Sequence, residues 1–115
     1  MIYDYPIDQA CLAKCDHTVI PPIAERFELY LQGIELGNGF HELNDATEQQ
    51  RRFEQEQQQR QLHNQPCITI DPKFISCLDH LPDCAGVAIG LDRLFMILSE
   101  CDHIHDTISF GWEHL

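Results

Sequence analysis

The sequence is short of cations: seven Lys and Arg stand against 19 Asp and Glu, for a formal net charge of −12. Recognition of a nucleic-acid backbone needs clustered Lys and Arg, so autonomous binding to nucleic acid is excluded. No apolar run approaches the roughly 20 residues of a membrane span. Met1 to Asp8 also lacks the charged-then-apolar order of a signal peptide. The expectation is a soluble, cytoplasmic chain with no membrane partner. Paired Cys-x-x-Cys spacing is missing too: Cys11 and Cys15 are i, i+4, while Cys67, Cys77, Cys84 and Cys101 are scattered. That argues against a zinc site or a disulfide framework and for reduced thiols in buried structural roles. His103 and His105, with His114 beyond, alternate in an acidic tail; they are read as solvated, with a transition-metal site as the alternative. There is no internal repeat and no evident domain boundary, and 115 residues bury one modest core.

What is present begins with Gly86-Val87-Ala88-Ile89-Gly90-Leu91-Asp92-Arg93-Leu94, a glycine-flanked apolar strand running into a helix that opens with an arginine. Gly90 lets a flat ligand lie against the backbone, and free N–H groups and the helix dipole face an incoming anion. Arg93 adds a cation. The plainer alternative is an ion pair between Arg93 and Asp92 or a nearby carboxylate. A second group lies in Phe27 to Glu42, where alternating apolar and polar residues flank Gln32-Gly33. That spacing predicts a hairpin with Tyr30 opposite Glu35 and Glu28 as the diagonal neighbour on the same face. Two carboxylates so placed repel unless a cation bridges them, and Mg²⁺ typically uses one or two carboxylates plus phosphate oxygens. A solvated hairpin face with unrelated acids is the alternative.

Together the two segments resemble the C-terminal half of the class II aminoacyl-tRNA synthetase catalytic domain, in its lysyl branch. Gly86 to Leu94 is similar to motif 3, and Glu35-Leu36-Gly37-Asn38-Gly39-Phe40-His41-Glu42-Leu43-Asn44-Asp45-Ala46 to the lysine-pocket hairpin. Asp4-Tyr5-Pro6 resembles the strand that precedes the pocket. Ala88 stands where lysyl-tRNA synthetases carry glycine. With Pro82-Asp83-Cys84-Ala85-Gly86 and the Gln/Arg-rich stretch Glu48 to Gln61, it is similar to the elongation factor P lysine ligases, which activate (R)-β-lysine. One methyl shifts specificity by only about 1 to 3 kcal/mol.

The resemblance implies an α+β fold, an antiparallel sheet packed by helices, with residues 1–115 forming a single partial catalytic domain. Such a domain holds the lysine-pocket hairpin and motif 3 and lacks motifs 1 and 2, so the chain is expected to be the C-terminal third of a ligase. ATP and Mg²⁺ are the implied cofactors. Glu28 and Glu35 would hold the metal around the ATP phosphates, Gly90 would lie against the nucleotide, and Arg93, the implied catalytic residue, would meet the γ-phosphate. Asn38, Phe40, Glu42 and Ala88 would line the site for lysine or (R)-β-lysine, with elongation factor P as the protein substrate and no autonomous tRNA binding. Plainer roles stay open: Phe40 as core, and Glu42 as a cap on the following helix. Two functions therefore stand side by side. One is an ATP-dependent amino-acid ligase, completed by an N-terminal fragment or by oligomerisation; it includes the variant in which the acceptor is tRNA, a true lysine-tRNA ligase. The other is a non-catalytic remnant or accessory module.

Periodicity places a strand near Ile2 to Tyr5, a helical turn at Gln9 to Lys14 and a loop from Asp16 to Pro22. Asn44 or Asp45 caps a helix reaching about His63, weakly docked, with Glu48 in a capping-box-like position. A second helix is expected over Pro72 to Leu81, then a buried strand Val87 to Ile89, a core helix Leu91 to Ser99 and a short terminal segment Thr107 to Phe110.

Overall fold

The computed structural model describes residues 1–111; His114 lies outside the described residues. Strands β1 (Ile2–Pro6), β2 (Cys15–Asp16), β3 (Ile23–Leu31), β4 (Ile34–His41) and β5 (Ala85–Ile89) form an antiparallel sheet in the order β1-β3-β4-β5, with β2 also on β3. Helices α1 (Ala46–Leu62) and α2 (Pro72–Leu78) follow β4, and α3 (Leu91–Leu98) follows β5. The α+β expectation, an antiparallel sheet packed by helices, is met.

The β3-β4 hairpin turns on Gln32 and Gly33, both at positive φ (52° and 80°), the geometry that favours glycine at the second position. Tyr30 pairs with Glu35 as the spacing predicts. A bulge then shifts the register: Leu29 pairs with Gly37 and Glu28 with Asn38, leaving Leu36 as the extra residue. Strict alternation would send Glu35 and Asn38 to opposite faces. The bulge instead puts Glu35, Asn38 and Phe40 on the face that carries Arg26, Glu28 and Tyr30.

Helix α1 forms from good helix formers, and Asp45 caps it by accepting the Glu48 N–H at 2.9 Å. Glu48 does not complete a capping box; its carboxylate takes Arg51 at 2.7 Å and Arg52 at 2.8 Å. The docking is also tighter than expected. Gln49 is fully buried, and Arg52 reaches across to donate to the Cys11 carbonyl at 3.1 Å and the Ala13 carbonyl at 2.8 Å. Arg52→Met removes a charged donor from two carbonyls and a carboxylate, and is expected to cost about 2 kcal/mol of unfolding free energy by urea denaturation. A loss below about 0.5 kcal/mol would mean that α1 is held some other way.

Other expectations are corrected. Residues 9–14 hold no α-helix: a 3₁₀ turn occupies Ile7–Gln9, and Ala13 bridges to Glu42. Helix α2 ends at Leu78, three residues early: the chain tightens into i→i+3 turns, with the His80 N–H on the Cys77 carbonyl at 3.1 Å and the Leu81 N–H on the Leu78 carbonyl at 3.0 Å, while the Asp79 carboxylate accepts the Ala46 N–H at 3.0 Å. Strand β5 is not buried, for it ends the sheet and leaves Val87 and Ile89 exposed. Helix α3 is not a core helix: Met96 is buried, while Leu91, Phe95 and Leu98 form an exposed apolar stripe. The cysteines are free, but Cys11, Cys67 and Cys77 are exposed and the rest half-buried. The core is small, built from Ala10, Ala13, Ala24, Leu36, Leu43, Leu78 and Met96.

Candidate active site

The face set by the bulge gathers charge around Arg26, which sequence reasoning passed over. Its guanidinium carbon lies 4.3 Å from the centre of the Tyr5 ring and 5.6 Å from that of Phe40, its cross-strand partner. It donates to the Gln9 carbonyl at 2.9 Å and pairs with the Glu28 carboxylate. Tyr30 Oη donates to the other Glu28 oxygen at 2.6 Å, and Tyr5 also hydrogen-bonds to Glu28. These contacts, Tyr30 and then Tyr5 ahead of Arg26, hold the Glu28 carboxyl below its ordinary range despite its partial burial. The reciprocal effect raises Tyr30 and pushes Tyr5 up to about 12, chiefly through the bond to Glu28. Alternation along β3 put Arg26 and Glu28 on one face; it could not reveal that Tyr5 of β1 closes over them.

Arg93, in the first turn of α3, donates to the Glu35 carbonyl at 2.8 Å and lies 3.9 Å from its carboxylate. Its partner is thus Glu35 and not the adjacent Asp92. Gly90 precedes α3 as its N-cap with no side-chain cap on the helix, and its N–H donates to the Leu36 carbonyl at 2.7 Å. The bulged residue therefore ties the start of α3 to the hairpin. Tyr30 lies in the field of both Glu28 and Glu35, so the two carboxylates and Arg93 occupy neighbouring ground.

Asn38 is the cross-strand partner of both Glu28 and Ala88, and Phe40 that of Gly86. Phe40 is half-buried rather than core. Glu42 lies beside Gly86, where a Cβ would collide with its Oε1; only glycine leaves that space. Glu42 does not cap α1, since Asp45 does. Among the described residues no side chain hydrogen-bonds to the Asn38 amide or the Glu42 carboxylate, so both are available to a ligand.

Among the described residues no group of three His, Cys, Asp or Glu could hold a metal by itself. A cation bound through one or two carboxylates and phosphate oxygens does fit. Glu35 has oxygens free of hydrogen bonds, and Glu28 keeps about one of its four lone-pair positions beside three donors. The face is open rather than enclosed, because β5 ends the sheet. A cleft of about 1380 Å³ lies elsewhere, between α1 and residues 7–17, and is lined by none of these candidate residues. No helix among the described residues is long and apolar enough to cross a membrane.

Comparison with known proteins gives the family. The family of class II tRNA synthetases (D, K and N) matches residues 1–114. The chain is 47% identical over 116 residues to the elongation factor P (R)-β-lysine ligase of Haemophilus ducreyi, covering 97% of this chain and 34% of that protein. It is 50% identical over 114 residues to the ligase of Haemophilus influenzae, covering 96% and 34%. With that of Buchnera aphidicola it shares 47% identity over 110 residues, covering 95% and 34%. The chain therefore spans about a third of the length of these relatives.

Proposed function

The chain belongs to the class II tRNA synthetases of the D, K and N group, and on that premise we propose that it is the C-terminal part of an ATP-dependent ligase. In this proposal the ligase forms a lysyl-type adenylate and transfers the amino acid to a lysine of elongation factor P; its relatives are named elongation factor P (R)-β-lysine ligases. The observation that carries this reading is the Glu35–Arg93 contact, which sets a carboxylate, a guanidinium and an uncapped helix start on the same ground.

In this reading Glu35 and Glu28 hold Mg²⁺, which supplies charge neutralisation at the phosphates of ATP. Arg93 meets the γ-phosphate, and Gly90 leaves the backbone open to the nucleotide. Adenylate formation is in-line attack of a carboxylate on the α-phosphate, so the protein contributes position and charge compensation and no covalent intermediate. Glu42 takes the side-chain ammonium of lysine or (R)-β-lysine, Phe40 lines its methylene stem, Asn38 offers a donor and an acceptor, and the Ala88 methyl trims the space between them. Arg26, Tyr5 and Tyr30 keep Glu28 ionised and aimed.

The exposed β5 and the apolar stripe of α3 support a further part of the reading: another polypeptide segment, from an N-terminal fragment or a second copy, completes the sheet. If it does not, the chain acts as a non-catalytic accessory module. An ATP–pyrophosphate exchange assay separates the two. Exchange is expected with (R)-β-lysine when the chain is combined with the N-terminal two-thirds of the Haemophilus influenzae ligase, and not with the chain alone. Exchange with α-lysine only would favour a lysine-tRNA ligase, and its absence in every pairing would favour the accessory module.

A further inference from the structure

On the back of the sheet, away from Glu28 and Glu35, a second polar cluster is not used by the proposed chemistry. His41, the last residue of β4, sits between two carboxylates: its Nδ1 is 2.6 Å from Glu25 Oε2 and its Nε2 is 2.8 Å from Asp83 Oδ1. Glu25 belongs to β3. Asp83 belongs to the segment that enters β5, whose first residue, Ala85, is the cross-strand partner of His41. A neutral imidazole has one N–H and satisfies only one of two acceptors. The imidazolium, with two, satisfies both.

We propose that Glu25, His41 and Asp83 form a proton-dependent clasp that fastens the entrance of β5 to β3, and that loss of the His41 proton loosens this entrance by giving up one of the two contacts. The site wall is what the clasp would govern. The Glu42 N–H donates to the Cys84 carbonyl at 2.9 Å, and Gly86, one turn of the pleat further on, makes room for the Glu42 carboxylate on the front face. Ala88, Gly90 and Arg93 all follow on the same run of chain. A proton on the back of the sheet thus sets how firmly the strand carrying these groups is seated.

The other charged groups around the imidazole are consistent with this role. Lys14 pairs with Asp83 and gives its N–H to the His41 carbonyl at 2.8 Å, so Asp83 stays anchored on one side when His41 lets go. Asp16 on β2 is engaged with Thr18, at 2.7 Å from its N–H and 2.6 Å from its Oγ1. Arg52 of α1 is turned to the Cys11 and Ala13 carbonyls. The hydrogen bond to Asp83, with Glu25 adding to it against partial desolvation, raises His41 above its ordinary 6.5. Lys14 first, then His41, hold Asp83 down to about 2. A raised histidine stabilises the fold fully below its ordinary value and loses that contribution as pH rises through the raised one. A depressed carboxylate loses its contribution only as pH falls toward 2. The clasp is therefore closed in mildly acidic solution and opens on the alkaline side.

NMR of the chain between about pH 5.5 and about pH 8.5 tests this. The His41 ring nitrogens are expected to titrate together, with a midpoint above the ordinary 6.5 of an imidazole. Across that midpoint the Glu42 amide, corrected for intrinsic exchange, should lose about five-fold in protection. His41→Gln should flatten the step. If that variant does not fold, Asp83→Asn should still lower the His41 midpoint. A wild-type midpoint at or below 6.5, protection of Glu42 that ignores pH, or an Asp83→Asn midpoint unchanged from wild type would overturn the proposal.

Discussion

Arg93→Ala is expected to lower amino-acid-dependent pyrophosphate exchange by about 10²- to 10³-fold in the completed ligase, the usual loss when one preorganised charge is removed from a reacting phosphate. Arg93→Lys should recover little. The guanidinium spans two acceptors at once, donating to the Glu35 carbonyl at 2.8 Å while staying 3.9 Å from its carboxylate, and still has donors to present to a phosphate. An ammonium is a point charge that cannot serve both sides in a fixed plane. The ATP concentration at half-maximal rate separates this from mere loosening of α3. It should rise in both variants while unfolding free energy stays within about 1 kcal/mol of wild type, because the side chain is half-exposed and makes a single backbone bond. A variant that exchanges at the wild-type rate would remove Arg93 from the chemistry.

Gly86→Ala is expected to have the second largest effect, and on a different substrate. Its Cβ would collide with Glu42 Oε1, so the carboxylate must swing away from the site. Loss of a charge-paired contact is worth about 1.5 to 3 kcal/mol, which is roughly 10- to 150-fold in the KM for the amino acid. The KM for ATP should be nearly unchanged. Glu42→Gln makes the complementary test: it keeps the volume, removes the charge and should raise the same KM. If Gly86→Ala changes the ATP parameter instead, Glu42 is not the group that receives the ammonium.

The hairpin, its Gln32-Gly33 turn and the Tyr30–Glu35 pairing were readable because alternation and turn chemistry are local. The Asp45 cap and the extent of α1 were readable for the same reason. The bulge at Leu36 was not, since one extra residue leaves no compositional mark, yet it decides that Glu35, Asn38 and Phe40 share a face. Arg26 was missed because its partners, Tyr5, Gln9 and Phe40, come from separate elements. Gln49 and Arg52 sat in a stretch polar enough to read as solvated, and only the tertiary contacts bury them. Val87, Ile89, Phe95 and Leu98 are the reverse case, apolar in sequence and exposed in the fold. An apolar run signals burial against something, and these residues have no such cover among the described residues.

In the proposed ligase one nucleotide site is shared by the β3-β4 hairpin and the start of α3. Paramagnetic broadening of the amide spectrum by Mn²⁺·ATP, with Mn²⁺ alone as the control, detects even millimolar binding to this chain. Broadening specific to the nucleotide complex is expected first at Glu35, Gly90 and Arg93 and next at Glu28, leaving Glu54 and Glu56 of α1 no more affected than by Mn²⁺ alone. Broadening centred on α1, or no difference between the complex and the free ion, would contradict it.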